Sequence, residues 1–265
     1  MQPLPDESEF EWIRKTRGVL LRPEEPRLSP IEGPGIFVSD LVPPEFEAYA
    51  RILHRLDACY DDLDNPLSPS EQKVLGISDC EPIKSFVQNR RAASVGPRIR
   101  WLEMAALLKL PYVPEINFEW FCQKMDAWCL RRLTDFTRAW PAGEEGEELS
   151  AILMNLYKDQ PCFFRLPSHF IYHPRKEPML YAGSLDKVID FLKARPRTEF
   201  EYWWPVDHKW CVCCDDEVGA TIVGGSRNLI SYLLESHTME CLEVSPTMRL
   251  DREVPISKGP LGERR

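Results

Sequence analysis

The sequence predicts an α+β fold: a mainly helical N-terminal half joined to a duplicated β-β-β-α antiparallel-sheet module. Three observations carry the prediction. Apolar residues recur at helical spacing through much of residues 98–140. A run of Pro, Gly and Glu, PAGEEGEE at 141–148, then separates two apolar segments. Beyond it the chain repeats itself, with Leu180, Tyr181, Ala182, Gly183 and Ser184 matching Ile222, Val223, Gly224, Gly225 and Ser226 at an offset of 42. The expected organisation is an extended arm at 1–31, a mainly helical region at 32–145, the duplicated region at 146–248 and a charged tail at 249–265.

Residues 1–31 are rich in proline and charge, which suits an arm with one short helical or strand piece. GIFVSD, 35–40, reads as a short strand. The segment LVPPEFEAYARILHRL reads as a helix beginning after Pro44, because Phe46, Tyr49, Ala50 and Leu53 share a helical face; His54 sits at its border and is not expected to bind a ligand. Residues 59–82 are turn-forming and acidic. Asp61, Asp62, Asp64 and Asn65 suggest a calcium loop, but Pro66 and Gln72 stand where the EF-hand pattern needs glycine and glutamate. RIRWLEMAALLKL, 98–110, is a helix stopped by Pro111, and Asn117 caps a longer one. On that second helix Cys122 and Cys129 share an apolar stripe and read as small core residues.

In the duplicated region each unit is expected to run strand, strand, strand, Gly-Ser, helix, with Ser184 and Ser226 capping the helices. The aromatic pair Phe163–Phe164 matches Trp203–Trp204, and HFIYH, 169–173, matches the strand WCVCC. Side chains alternate along a strand, so Trp210, Val212 and Cys214 point to one face and Cys211 and Cys213 to the other. The tryptophans then need acceptors for their indole N–H groups, and Asp207 stands where it can serve one or form an Asx-turn.

The chain has 265 residues with formal net charge −9. That balance argues against a general nucleic-acid surface and leaves RRAASVGPRIR, 90–100, as the local basic segment. No apolar run reaches membrane-spanning length. The first residues, MQPLPDESEFEW, hold no apolar leader core, so a cytoplasmic location and reduced thiols are expected for the nine cysteines. No hydrolase, kinase or nucleotide-binding motif is present. Zinc would need Cys211 and Cys213 joined by residues such as Cys162, His169, His173 or His208, and a thiol nucleophile would sit in the unfavourable field of Asp215, Asp216 and Glu217. GGSR, 224–227, offers helix N–H groups and Arg227 to an anion, although AGSL in the first unit lacks the arginine.

The pattern W-W-P-x-D-x-x-W-x-V followed by V-G-G-S is present as Trp203, Trp204, Pro205, Asp207, Trp210, Val212 and Val223 to Ser226. It resembles a group of uncharacterised bacterial proteins, many from actinobacteria, as do FVSDLVPPEFEAYARILH and RWLEMAALLKL. The resemblance implies no reaction and no catalytic residues. Small α+β domains of the SUKH immunity type are similar in size class and acidity. The absence of a catalytic constellation, the net charge of −9 and the broad aromatic content make the expected function non-enzymatic binding of a basic protein partner, immunity- or antitoxin-like. Trp203, Trp204, Asp207, His208 and Arg227 are the candidate ligand or partner residues, with no catalytic residue, metal or cofactor expected. The alternative is an enzyme or small-ligand protein with a cleft between the two repeat units, using Asp207, His208, His169 and His173.

Overall fold

The computed structural model describes residues 1–6, 8–16, 36–54, 56–57, 98–118, 120–121, 135–136, 144–158, 160–166, 180–194, 200–215 and 218–250. The expected acidic loop at 59–82, most of the basic run at 90–100, Cys122 and Cys129, the expected strand HFIYH and residues 251–265 of the expected tail lie outside these.

The architecture is α+β, built on one eight-stranded antiparallel sheet. Its strands are β1 (Gln2–Pro3), β2 (Ala48–Leu53), β6 (Pro161–Arg165), β7 (Leu180–Ser184), β8 (Tyr202–Pro205), β9 (Cys211–Asp215), β10 (Ala220–Gly225) and β11 (Glu240–Val244). They lie in the order β1-β7-β6-β8-β9-β10-β2-β11. Three two-residue strands, β3 (Leu56–Asp57), β4 (Arg98–Ile99) and β5 (Asp135–Phe136), form a small second sheet ordered β4-β3-β5. The helices are α1 (Glu11–Thr16), α2 (Val38–Leu41), α3 (Trp101–Leu107), α4 (Glu144–Tyr157), α5 (Asp186–Ala194) and α6 (Arg227–Leu234).

The large sheet is covered on both faces. On one side α4, α5 and α6 place Leu149, Leu153, Val188, Leu229, Ile230 and Leu233 against Phe164, Trp203, Trp210, Val212 and Cys214. On the other, Phe10 and Ile13 of the N-terminal segment and Val38, Leu41 and Val42 cover Phe163, Tyr202, Trp204, Cys211 and Cys213. Successive residues of β8 and β9 therefore enter opposite cores, as strand alternation requires. A third cluster gathers Trp101, Met104, Ile116 and Phe121 beside Leu53 and Leu56.

The expected helix after Pro44 is instead β2. It is inserted between β10 and β11, with Ala50 opposite Val223 on one side and Glu243 on the other. All six of its residues are buried. With both faces inside, there is no polar–apolar alternation to reveal a period of two, and the Ala and Leu content mimics a helix. In the segment expected as a strand at 35–40, residues 38–40 instead open α2. Phe37 makes a single bridge to Arg249, and Asp40 accepts the Phe37 N–H at 2.9 Å, closing the turn.

Other expectations are met in part. Helix α3 lies within 98–110 and ends before Pro111, while Arg98–Ile99 pair as a strand. Asn117 Oδ1 accepts the Trp120 N–H at 3.2 Å, as a cap does. PAGEEGEE does not stay a linker throughout: α4 opens at Glu144, where the acidic residues suit a helix's positive end. The sheet spans the expected division at 145/146, since β1 and β2 belong to it. β8, β9 and β10 form a three-strand meander, whereas β6 pairs directly with β7. The matched aromatic pairs face each other across β6 and β8, Phe163 opposite Trp204 and Phe164 opposite Trp203. Ser226 caps α6 by accepting the Leu229 N–H at 3.2 Å. Ser184 does not play the equivalent part in the described bonds; its hydroxyl donates to the Asp186 carboxylate.

Gly224 is set by close approach. A Cβ there would collide with the ring of Phe46. Gly224→Ala should therefore lower the urea-unfolding free energy by about 1–3 kcal/mol, as overpacking does. Adding Phe46→Ala should recover part of that loss in a double-mutant cycle.

Candidate functional site

The ribbon Trp203–Cys214 holds most of the chemistry-bearing residues, and its alternation decides what they can do. Trp203 and Trp204 are fully buried on opposite faces of the sheet, so they share no site. Cys211 and Cys213 lie in one core and Cys214 in the other, all buried and none in a disulfide. Cys162 is buried too. Burial, reinforced by the Asp207 charge, pushes its thiol up to about 12, far from a thiolate at neutral pH. Cys241 is likewise pushed up to about 12 by burial and then by Glu148, Glu145 and Glu240. Among the described residues no three His, Cys, Asp or Glu side chains gather as a metal-binding set. His169 and His173 lie outside those residues.

Asp207 and His208 sit in the exposed β8–β9 turn. Asp207 does not serve an indole. Its Oδ1 accepts the Lys209 backbone N–H at 3.3 Å in an Asx-turn, and its Oδ2 accepts from Lys209 Nζ at 2.7 Å and Gln160 Nε2 at 3.1 Å. Partial burial opposes ionisation, but the Lys209 bonds outweigh it and hold the carboxyl below the usual range. The indole Nε1 groups of Trp204 and Trp210 have no acceptor among the described residues. His208 has a left-handed backbone, φ 56°, and stacks on Trp12 with centroids 3.9 Å apart and rings 8° from parallel.

Arg227 opens α6 and is exposed, but the helix end is already occupied. Glu47 Oε2 accepts the Arg227 N–H at 3.0 Å, so a carboxylate of the chain itself stands where an anion would bind. The Arg227 guanidinium pairs loosely with Glu243 at 3.5 Å. The register brings these pieces together: Gly224 is opposite Cys211 and Gly225 opposite Ala48. The turn 206–209, residues 45–47 and Arg227 therefore share one end of the sheet. Asp207, His208 and Arg227 all lie at this end; Trp203 and Trp204 are buried on opposite faces and do not.

Several residues at this end were not expected from the sequence. Trp12 donates its indole N–H to Glu45 Oε1 at 3.0 Å and meets Phe46 edge-on. Tyr49 fixes the turn that presents Phe46, since its hydroxyl donates to Pro43 O and accepts the Phe46 N–H, each at 3.0 Å. Burial pushes that phenol up to about 12. Val206 stands half exposed beside His208 in the turn. The sequence signal was the aromatic residue within each charged segment, EFEW and PPEFE, which periodicity alone assigns to no surface.

A second polar group lies deep between β2 and its neighbours. Arg51 is fully buried and donates from Nη1 to Pro114 O at 3.0 Å and Ile116 O at 2.7 Å. Burial, partly offset by Glu115, lowers it to about 10, so it remains a cation. His54, expected at a helix border, is buried instead, with Nε2 3.0 Å from Thr221 Oγ1 and 3.7 Å from Cys214 Sγ. Its backbone carbonyl accepts the Trp101 indole N–H. Glu240 accepts the N–H groups of Trp101 at 2.7 Å and Leu102 at 3.1 Å, holding the start of α3. These groups join α3 and the 113–116 loop to the sheet.

A shallow cleft of about 200 Å³ is lined by Met154, Lys158, Ser184, Leu185 and Asp186. Neither Asp207 nor His208 reaches it. No described helix is long and apolar enough to cross a membrane. Comparison with protein-family models, with curated proteins and with solved structures gives no match to this chain.

His54 should make stability depend on pH. Burial, then the Arg51 charge, lowers it from 6.5 to about 3. Below pH 6.5 the unfolded chain binds a proton here that the folded protein refuses. The contribution is complete above pH 6.5 and is lost as pH falls towards 3. Between pH 6.5 and about pH 5 the loss amounts to about 2 kcal/mol. Urea titrations should show wild type losing that much more than His54→Gln over this interval. Equal losses would mean that His54 is protonated in the folded protein.

Proposed function

We propose that this chain is a non-enzymatic binding protein whose acidic surface engages a basic protein partner in the cytoplasm, in the manner of immunity or antitoxin proteins. The observation that carries the reading is the net charge of −9 together with the end of the sheet where exposed Glu45, Glu47, Asp207 and Glu243 accompany half-buried Trp12 and Phe46 and exposed Val206. Charge complementarity of this kind speeds encounter and selects partners. The placement of Cys162, Cys211, Cys213, Cys214 and His54 supports it, because these side chains are buried.

The same reading keeps the two strand–turn–helix units as a duplication. Support comes from β7–α5 and β10–α6, whose helices pack on the same face and flank α4. The bacterial group that shares the Trp motif is the family we propose for it.

Affinity capture with the full chain tests the function. A basic protein should be retained at low ionic strength and released as salt rises, because exposed charge pairs are screened. Failure to retain any basic protein at low salt contradicts the reading.

A further inference from the structure

We propose that the end of the sheet formed by Trp12, Phe46, Val206 and His208 is the docking patch, and that its occupant is an arginine-bearing basic segment of a partner protein. The inference rests on the binding reading above and names its surface.

Two independent features meet there. The first is an aromatic and apolar surface supplied by three separate segments. Trp12 stacks on His208, Phe46 meets Trp12 at 87°, and Val206 is 53% exposed. The first two are held in place from beneath. Phe10 and Ile13 anchor the segment that carries Trp12, Tyr49 pins the turn that carries Phe46, and Gly224 leaves room for the Phe46 ring. The patch is thus preorganised and does not need to be ordered on binding.

The second feature is the charge around it. Exposed Glu45 and Asp207 lie beside it with one cation, Lys209, while Glu47, Glu243 and Arg227 are exposed at the same end of the sheet, Glu243 on the face that α6 covers. The cations are engaged, Lys209 with Asp207 and Arg227 with Glu243. Glu45 stands at the edge of the Trp12 indole. A guanidinium suits this arrangement better than an ammonium, because it stacks flat on aromatic rings while its N–H groups reach a carboxylate. Interfaces commonly anchor on Trp and Arg inside a polar rim.

The test uses the full chain and a synthetic arginine-rich peptide, with lysine-rich and glutamate-rich peptides of the same length as comparisons. Indole N–H resonances are followed by NMR, with Trp12 assigned through Trp12→Phe. The Trp12 resonance should shift saturably with the arginine peptide, less with the lysine peptide and not with the acidic one. Val206→Lys, at an exposed turn position, should weaken binding about tenfold. Glu235→Lys, at the far end of α6, carries the same charge increment as Glu45→Lys and should leave affinity nearly unchanged, whereas Glu45→Lys should weaken it. If the arginine peptide binds with the Trp12 resonance unmoved and Val206→Lys without effect, the patch is wrong while the basic-partner reading stands. If neither basic peptide binds at low salt, both fail.

Discussion

The structure depends on one constraint: the central sheet is buried on both faces. Helices α4, α5 and α6 close one side, and short N-terminal pieces with residues 245–250 close the other. Strand alternation then sends neighbouring residues of β6, β8 and β9 into separate cores. Phe163 with Trp204, and Phe164 with Trp203, face one another across the β6–β8 ladder at ring separations of 5.6 and 5.7 Å. Paired aromatics of this kind stabilise a sheet by burial and by edge–face contact.

The same constraint limits chemistry. A sulfur or imidazole in a two-sided core lacks water and neighbouring counter-charge, so burial drives it to its neutral form. That is the position of Cys162 and His54, while half-buried Cys241 on β11 is raised by burial and by neighbouring carboxylates. Arg51 keeps its charge by donating to backbone carbonyls of the 113–116 loop. Buried polar groups of this type fix one arrangement of neighbouring elements, here the docking of α3 and its following loop on β2 and β11. At the end of the sheet the turns emerge, and Trp12, Phe46, Val206 and His208 stay partly or largely exposed.

Much of the sheet was legible in the sequence, because alternation in YWWP and WCVCC is a local property. The Gly–Ser turns before α5 and α6 were legible for the same reason. The identity of β2 was not. AYARIL is apolar on both faces, with one arginine whose partners are more than 60 residues away in the chain. A helical stripe and a fully buried strand look alike in such a segment. The candidate site was half visible. Asp207, His208 and Arg227 do share one end of the sheet, but Trp12 and Phe46 reach it only through tertiary packing. Trp203 and Trp204 drew attention because tryptophan is rare, and their size serves the two cores.

The central claim is that the sulfur-rich ribbon belongs to the interior. Thiol alkylation of the native protein, mapped by mass spectrometry, tests it most directly. Cys211, Cys213 and Cys214 should remain unmodified under conditions that label an exposed thiol, and should react only once the chain is unfolded by denaturant. Rapid labelling of Cys211 or Cys213 in the folded protein would place those sulfurs at an accessible surface and contradict the account.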